Sequence, residues 1–337
     1  MNPSVLDMTW PELEQAVVDL GQPAYRAKQL ADWVYHKGVT EAARISNLSP
    51  AFVGQFVLMT SRVLQRLDST DGTIKLLIEF ADGERVEAVL IPEPKRATVC
   101  LSTQAGCAMG CSFCASGLDG LRRNLTSGEI LQQMLHLWQA AEQRPTNVVF
   151  MGTGEPLANY DATVAAVRAI IDPDRFGISA RHVTVSTVGL PRQIQRLARE
   201  NMPITLAISL HAPLDEIRRE LIPTAEKYSI DEIVAAADEF FHSRNREITL
   251  EYILLGGVND TNVCAEALAR IAHRLRCNVN LIRYNPVPSL AYEPPTSEAM
   301  KAFVERLAKR GVNVHVRRPR GLDADAACGQ LRRREET

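Results

Sequence analysis

Six strand-and-helix pairs follow one another between residues 96 and 310, and this alternation constrains the fold more than any other feature of the sequence. Each pair joins a short β-rich stretch to an amphipathic helical one. The predicted strands cover residues 97–103, 147–151, 182–187, 204–209, 248–254 and 278–283, and a last strand covers 312–317. The predicted helices cover residues 126–142, 161–171, 190–200, 229–242, 261–275 and 296–310. The alternation predicts a parallel sheet, as an open doubly wound sheet or a partial barrel, with the working site at the carboxyl ends of the strands.

The first third of the chain follows a different pattern. Residues 9–70 are predicted to be mostly helical, with a capping signal at Thr9 and apolar residues on one face of a helix over 25–37. A β-hairpin with strands 74–80 and 84–91 follows. We therefore expect four parts, namely an N-terminal helical accessory domain (1–72), a β-hairpin extension (73–95), the repeating domain (96–317) and a C-terminal segment (318–337).

Composition excludes several classes of protein. Apolar residues make up 46% of the 337 residues, which is enough for a large buried core, so the chain is neither disordered nor a small disulfide-bonded scaffold. The formal net charge of −2 argues against electrostatic binding of nucleic acid by the whole surface, and leaves room for a local basic patch. No apolar run is long enough to span a membrane and no signal peptide is visible, so we expect the protein in the cytoplasm.

Three cysteines, Cys107, Cys111 and Cys114, follow the first predicted strand of the repeat with the spacing C-x3-C-x2-C. Three thiolates in one short loop can bind three irons of a cubane iron–sulfur cluster and leave the fourth iron open to a substrate or cofactor. Zinc is the alternative, although structural zinc prefers four ligands and no fourth cysteine or histidine is close in sequence. From the residues alone, a zinc-stabilised RNA-binding module without catalysis therefore stays open beside an iron–sulfur enzyme.

Polar residues also stand where the predicted strands end, at the edge where the working site is expected. Gly154 and Glu155 follow the second strand of the repeat. Glycine there allows a close backbone approach, and a carboxylate can accept hydrogen bonds from an ammonium group. The residues at the ends of later strands are Ser186, Ser209, Leu210, His211 and Asn285. Each of them alone is more often a turn residue or a structural hydrogen-bonding group than a ligand contact.

Four motifs occur in order along the chain and together resemble one family. The cysteine loop, with Phe113 before its last cysteine, resembles that of the radical S-adenosylmethionine (radical SAM) superfamily. The stretches that narrow the resemblance to the RlmN family of RNA methyltransferases are Arg96–Cys107, Met151–Pro156, Ser209–Pro213 and Asp325–Leu331. The similarity extends from about residue 10 to residue 331. It implies an α/β fold in which a partial (βα)6 barrel of the TIM type carries an N-terminal helical accessory domain and a short β extension.

The resemblance implies two cofactors. A [4Fe-4S] cluster with one open iron would be bound by the three cysteines of the loop, Cys107, Cys111 and Cys114. S-adenosylmethionine (SAM) would bind at that open iron. The residues that would line its pocket are Gly154, Glu155, Ser186, Ser209, Leu210, His211 and Asn285.

The resemblance also implies three catalytic residues outside the cysteine loop. Cys328 matches the methyl carrier, Cys100 the second catalytic cysteine, and Glu87 the proton acceptor of the family. Without the resemblance, Glu87 would be interpreted as a solvated carboxylate on a strand. Cys264 and Cys277 match no such role and are expected to be small buried apolar residues.

In the family, the reaction is methylation of adenine at C2 in 23S rRNA and tRNA. The implied route uses two SAM molecules per turnover. The first methylates Cys328, and the second generates a radical on S-methyl-Cys328 that adds to the adenine. Cys100 then resolves the covalent protein–RNA intermediate by forming a disulfide with Cys328. The nearest alternative is a resistance methyltransferase of the same family that acts at C8 of adenine in 23S rRNA.

The implied partners are 23S rRNA, tRNA and an external electron donor of the flavodoxin type, and the chain is expected to act as a monomer. Candidate contacts to RNA phosphates are Arg122, Arg123, Arg317, Arg318, Arg320, Arg332, Arg333 and Arg334. For any one of them, a solvated position on a charged surface is the alternative.

Overall fold

The computed structural model describes residues 4–331, and its N-terminal part is helical as expected. The helices are α1 (Trp10–Asp19), α2 (Tyr25–Ala31) and α3 (Pro50–Val53), and a turn of π-helix (Asp32–His36) continues α2. The backbone N–H of Thr9 donates to the Glu12 carboxylate at 2.7 Å, which fixes the start of α1. Leu13 of α1 and Leu30 of α2 are buried in the main core.

Three antiparallel strands follow, and the first of them corrects the prediction that residues 9–70 are mostly helical. The strands are β1 (Arg62–Asp68), β2 (Ile74–Glu79) and β3 (Arg85–Glu93). β1 lies at the edge of the sheet with most side chains exposed, so it lacks the apolar alternation that marks a half-buried strand. An ion pair between Arg62 and Glu79, at 2.6 Å, joins it to β2. The predicted hairpin of β2 and β3 is confirmed.

Within residues 4–331, seven parallel strands form the repeating domain, which confirms the partial (βα)6 barrel. The strands after β3 are β4 (Arg96–Cys100), β5 (Gln104–Gly106), β6 (Leu121–Asn124), β7 (Asn147–Phe150), β8 (Val183–Thr187), β9 (Thr205–Ser209), β10 (Ile248–Leu254), β11 (Cys277–Arg283) and β12 (Val314–Arg317). β5 and β6 form a hairpin of their own. The main sheet has the order β1-β2-β3-β4-β7-β8-β9-β10-β11-β12 and is parallel from β4 onward.

The helices between these strands match the predicted ones, with one addition. They are α4 (Ser127–Ala141), α5 (Tyr160–Ile171), α6 (Pro191–Arg199), α7 (Asp215–Leu221), α8 (Ile230–Arg244), α9 (Asn262–Arg274) and α10 (Ser297–Lys309). The addition is α7, between β9 and α8. Five of its seven residues are charged, and so short a helix shows no apolar period in the sequence. Burial of Arg218 and Leu221 holds it against the rest of the fold.

The main core lies between the helices and the sheet. Phe150, Phe176 and Phe240 are fully buried there, and α4 packs against β2 and β3 as well as against α5. The antiparallel strands are therefore part of the same hydrophobic structure as the barrel. No helix among the described residues has the length and apolar character needed to cross a membrane.

Residues 318–331, which we call the C-terminal strap, fold back from β12 onto the turn between β1 and β2. The backbone N–H of Thr70 donates to the Asp323 carboxylate at 3.0 Å. The backbone N–H of Gly321 donates to the Asp71 carboxylate at 3.1 Å. Two carboxylates, one from the turn and one from the strap, thus hold the start of the strap on the sheet.

Leu281→Ala tests the importance of the barrel core. Leu281 is fully buried on β11, opposite Tyr252 of β10 and Val316 of β12. The substitution leaves a cavity, so the free energy of unfolding should fall by about 2–5 kcal/mol. Urea denaturation followed by circular dichroism measures the change. Val263→Ala, at a residue of α9 that is 63% exposed, is the control and should change stability by less than about 0.5 kcal/mol. Equal effects of the two substitutions would contradict this account of the core.

Candidate functional site

The cysteine loop begins directly after β5 and is held in place by backbone hydrogen bonds. Gly106 has φ +79°, and a Cβ there would lie 2.0 Å from the carbonyl oxygen of Gly120. Only glycine can therefore occupy this position, where two chain segments meet. The N–H of Cys107 donates to the same Gly120 oxygen at 3.0 Å, and the N–H of Ser112 donates to the Leu221 oxygen of α7 at 2.9 Å. The unexpected helix α7 thus supports the loop.

The three thiols of the loop influence one another electrostatically. Burial and, to a smaller extent, the Cys114 charge raise the pKa of Cys107 to about 11, although a backbone hydrogen bond from Met109 acts in the opposite direction. Burial also raises the pKa of Cys111 well above its usual value, and the neighbouring Cys114 and Cys107 charges add to this. Three thiolates so close together repel each other, and a bound cationic metal centre would relieve that repulsion.

The three thiols fit a cubane cluster in kind and number, because each thiolate of such a cluster binds a different iron. A single metal ion needs a different arrangement, in which several ligands meet at one point. No three cysteine, histidine, aspartate or glutamate side chains of residues 4–331 form such a point.

Glu155 lies at the carboxyl end of β7 in a buried position. Its carboxylate accepts backbone N–H groups from Leu157 at 2.9 Å and from Val188 at 2.8 Å. Burial raises the pKa of this carboxyl to about 7, although these hydrogen bonds act in the opposite direction. Gly154 before it has φ +106°, and a Cβ there would collide with Gln104. The chain is therefore tightly packed at these two residues of the expected SAM pocket.

The other strand-end residues follow on the neighbouring strands β8 and β9. The hydroxyl groups of Ser186 on β8 and Ser209 on β9 are 3.1 Å apart. His211 has a left-handed backbone with φ +56°, and its Nδ1 accepts the backbone N–H of Ile253 at 3.2 Å. Burial lowers the pKa of His211 to about 3, and the charge of Arg218 adds to this, so the imidazole is neutral. Its ring also meets Phe113 of the cysteine loop edge-on, with centroids 5.0 Å apart.

Arg218 of α7 was missed in the sequence, and it connects these strand ends. Its side chain is fully buried, and it donates to the carbonyl oxygens of Leu210 at 3.2 Å and Val188 at 2.5 Å. Its charge also acts on Cys111 in the cysteine loop. A single arginine in a short, highly charged segment gives no signal in a sequence, because surface arginines have the same local pattern.

A second cluster of predicted residues lies where the C-terminal strap covers β3 and β4. Cys100 at the end of β4 is buried among Val89, Ala324, Ala326 and Leu331. Burial raises the pKa of Cys100 to about 12, and the nearby Cys328 charge adds to this. Cys328 itself is exposed, and both cysteines are free thiols. The fold therefore brings together two cysteines that are far apart in the sequence.

The strap also reaches the cysteine loop and Asn285. The Asn285 side-chain amide donates to the carbonyl oxygen of Cys328 at 3.2 Å. The N–H of Ala115, next to the last cysteine of the loop, donates to the Gly329 oxygen at 2.9 Å. The hydroxyl of Ser116 donates to the Leu331 oxygen at 2.7 Å. Cys328 thus lies on a segment that is tied directly to the cysteine loop.

Glu87 is not the solvated carboxylate that its sequence alone would suggest. It is buried on β3, and its Oε1 lies 2.9 Å from Nζ of Lys75 on β2. It also lines a cavity of about 590 Å³, together with Thr153 and the backbone of the cysteine loop at Gly106. Lys75 was missed, although a lysine inside the apolar run of β2 is a detectable signal.

The two cysteines without a predicted role differ in burial, and the candidate phosphate contacts differ in whether they form ion pairs or line cavities. Cys264 is buried, as expected, whereas Cys277 is only partly buried. Arg123 is paired with Asp82 and Glu129. The remaining described arginines line cavities: Arg122 the one beside Glu87, and Arg317, Arg318 and Arg320 the one beside Cys328. Arg332, Arg333 and Arg334 lie outside the described residues.

Comparisons with known proteins indicate the family to which the chain is similar. The chain matches the family model of the radical SAM superfamily over residues 101–267, and that of the ribosomal RNA large subunit methyltransferase N-terminal domain over residues 4–55. It is 44% identical to a probable dual-specificity RNA methyltransferase RlmN of Thermosynechococcus vestitus, over 95% of this chain and 96% of that protein. A protein of the same description from Symbiobacterium thermophilum is 45% identical, over 98% of this chain and 91% of its own length.

A solved structure resembles the whole chain. It is that of a radical SAM methyltransferase from Sphaerobacter thermophilus, which matches with a TM-score of 0.94 and 41% sequence identity. The match covers 98% of this chain and 99% of that one. The fold described above is therefore the radical SAM fold of a methyltransferase over its full length.

Gly106→Ala tests whether the shape of the cysteine loop determines metal binding. The added Cβ would meet the Gly120 oxygen, so the loop must shift and the cluster content should fall to less than half of the unsubstituted level. Gly120→Ala is a matched control, because Gly120 also has a positive φ, +66°, and open space around it. Iron and sulfide analysis after anaerobic purification measures the outcome. An equal loss in both variants would argue against the steric account, and zinc without iron in the unsubstituted protein would favour the zinc-stabilised module.

Proposed function

Because this chain belongs to the RlmN family of radical SAM methyltransferases, we propose that it methylates adenine at C2 in 23S rRNA and in tRNA. The observation that carries the proposal is the position of the C-terminal strap. On one side the strap packs against Cys100 through Ala324 and Ala326, and the Cys328 charge acts on that thiol. On the other side the strap is hydrogen-bonded to the cysteine loop. A carrier thiol in that position can serve both a cofactor at the loop and a second thiol on the sheet.

The chemistry of the target explains why such a carrier is needed. C2 of adenine is an electrophilic sp2 carbon, so it does not attack a methyl sulfonium group, whereas a carbon radical can add to it. When bound, a [4Fe-4S] cluster and SAM supply the radical that starts this chemistry. The proposed cluster ligands are Cys107, Cys111 and Cys114. The proposed SAM-binding residues are Gly154, Glu155, Ser186, Ser209, Leu210, His211 and Asn285.

The chain's own residues would then act in order. The Cys328 thiolate takes a methyl group from a first SAM by displacement, because a thiolate is the competent nucleophile. After a second SAM has been used to remove a hydrogen atom from this methyl group, its carbon bonds to adenine C2 and links the protein to the RNA. This adduct would then return one electron to the cluster and give its C2 proton to Glu87. Cys100 would lose its own proton and attack the Cys328 sulfur to form a disulfide. The methylene carbon released from that sulfur would take up a proton and depart as the methyl group of the RNA. An external two-electron reductant restores the two thiols.

The different surroundings of the two cysteines support this division of roles. Cys100 is buried and its pKa is raised to about 12, so at neutral pH it remains a thiol and competes poorly for the first methyl group. Cys328 is exposed on the strap and accessible to a cofactor. We further propose that the protein is a cytoplasmic monomer with domains 1–72, 73–95, 96–317 and 318–337, reduced by a donor of the flavodoxin type.

A basic cleft beside Cys328 supports RNA as the substrate. The cleft has a volume of about 410 Å³ and lies between the strands at the two sides of the barrel opening. Five arginines and one glutamate line it: Arg96, Arg283, Arg317, Arg318, Arg320 and Glu93. Among the described residues, Arg283 and Arg318 form no salt bridge, so their charges are available to an anionic ligand. Phosphates in this cleft would place a nucleotide next to Cys328.

The proposed product is tested by nucleoside analysis. Protein with a reconstituted cluster is incubated with SAM, a reductant and RNA from a strain that lacks the modification, and the digested RNA is examined by mass spectrometry against synthetic standards. We expect 2-methyladenosine from both 23S rRNA and tRNA. The 8-methyl isomer alone would identify the C8 enzyme of the same family, and no methylated nucleoside at all would reject the enzymatic function.

The double variant Arg283→Gln/Arg318→Gln tests the basic cleft. Loss of two phosphate contacts should weaken binding of a fluorescent RNA hairpin by roughly tenfold or more. It should also reduce the slope of log Kd against log salt by about 0.7–0.9 per contact. Arg192→Gln/Arg199→Gln removes two exposed charges from α6 and is the control. Equal affinity and slope in both double variants would rule out the cleft as the RNA contact.

A further inference from the structure

Lys75 is a buried cation in an otherwise apolar strand, and the reaction proposed above does not use it. It stands in β2 between Ile74 and Leu76, and its side chain is only 7% exposed. In the register of the sheet, Lys75 is opposite Val89 and Glu87 is opposite Leu77. Lys75 and Glu87 are therefore diagonal neighbours on one face of the sheet. The C-terminal strap covers the same face, because Val89 packs with Ala324 and Ala326.

The ammonium group of Lys75 has two partners there. It lies 2.9 Å from the Glu87 carboxylate, whose side chain is equally buried, and it donates to the backbone carbonyl of Asp325 at 3.1 Å. Asp325 has a left-handed backbone with φ +48° and stands three residues before Cys328. One cation therefore joins the proposed proton acceptor to the segment that carries the methyl group.

Stability alone is a weak explanation for such a pair. Removing two charges from water has a large desolvation cost, and replacing a buried ion pair with well-packed apolar residues is often neutral or stabilising. The surrounding face is apolar, so it could hold such residues. The positions of the two partners suggest a different reason for the pair.

We propose that Lys75 is a positioning residue, which keeps the Glu87 carboxylate ionised and ready for a proton and fixes the strap at Asp325. The ionisation part rests on the proposed role of Glu87 in the reaction. The part that concerns the strap does not, because it depends only on a hydrogen bond within the folded chain. The two parts can therefore be tested separately.

Other titratable groups on the elements around Glu87 can also affect the pH dependence, so the test must take them into account. Arg85 on β3 is paired with Glu79, and Arg122 and Asp119 line the cavity beside Glu87. On β4 the titratable neighbour is Cys100, which is opposite Val89. The strap carries Asp325, whose backbone oxygen meets Lys75, and Cys328, whose charge acts on Cys100. α4 packs against β2 and β3 and carries the titratable groups Glu129 and His136. In the buried part of this face, Lys75 forms an ion pair with Glu87.

The ionisation part is tested with Lys75→Met, which removes the charge and keeps an unbranched side chain that is one atom shorter. Without the cation the carboxylate is harder to ionise, so the fall in rate on the acid side should move to higher pH. The single-turnover rate of methylated-RNA release should drop on the order of tenfold at neutral pH and recover as pH rises. Lys75→Arg keeps the charge and should retain the unsubstituted profile. A uniform loss of rate at every pH would overturn this part.

The strap part is tested by hydrogen exchange of the full chain with its cluster in place. In Lys75→Met the backbone amides of residues 321–331 should exchange at least several times faster, because the bond to Asp325 is lost. Arg62→Met is the matched control, since it breaks an ion pair of β1 and β2 with a largely exposed arginine. Its strap should exchange at the unsubstituted rate. Equal exchange in Lys75→Met and in unsubstituted protein would overturn this part.

A third variant is the control for misfolding, because the unpaired buried carboxylate of Glu87 can destabilise Lys75→Met. Lys75→Met/Glu87→Gln removes both charges and should restore the iron content and the circular dichroism of the unsubstituted chain. Its strap should still exchange faster, since the Asp325 carbonyl again lacks its donor. Slow exchange in this folded variant would overturn the proposal. If the unsubstituted protein methylates no RNA, the proposed function fails, while the exchange experiment still decides whether Lys75 holds the strap.

Discussion

The site depends on one constraint, which is that parallel neighbouring strands end at the same edge of their sheet. Glu155 follows β7, Ser186 is the last but one residue of β8 and Ser209 ends β9, so residues up to 54 positions apart in the sequence meet at one edge. The same geometry holds the cysteine loop beside them, through Phe113 against His211. Local secondary-structure propensity cannot bring these distant residues together. The order of the strands does so, and side-chain contacts only adjust their final positions.

The sequence was sufficient for those parts of the fold that repeat. Alternating apolar strands and amphipathic helices predicted the partial barrel. Strands and helices that pack against each other need apolar residues at regular spacing, and this spacing is visible in the sequence. The strand-end rule likewise predicted where Gly154, Glu155 and Ser186 lie. The motif resemblance singled out Cys100 and Cys328 for catalytic roles that stay predictions, and the fold brings Cys328 near enough to act electrostatically on Cys100.

What the sequence did not predict depends on long-range contacts. β1 was missed because an exposed edge strand, held by backbone pairing and an ion pair, carries no apolar alternation. Arg218 looks like a surface residue until the fold buries it under two strand ends. Lys75 was visible as an odd charge in β2, but its link to the strap becomes clear only when residue 325 returns to the sheet. In each case the partner lies in a distant part of the chain.

The strap follows, in the sequence, every strand that it covers, and this order has a consequence for synthesis. Translation proceeds from the N-terminus, so the sheet and the cysteine loop can form while the residues around Cys328 are still being added. A nascent chain would then hold the cysteine loop without the thiol that we propose as the methyl carrier. The proposed site is complete only when residues 318–331 have emerged from the ribosome and folded back against the turn between β1 and β2. Termination before residue 328 would therefore leave a barrel that lacks the proposed carrier.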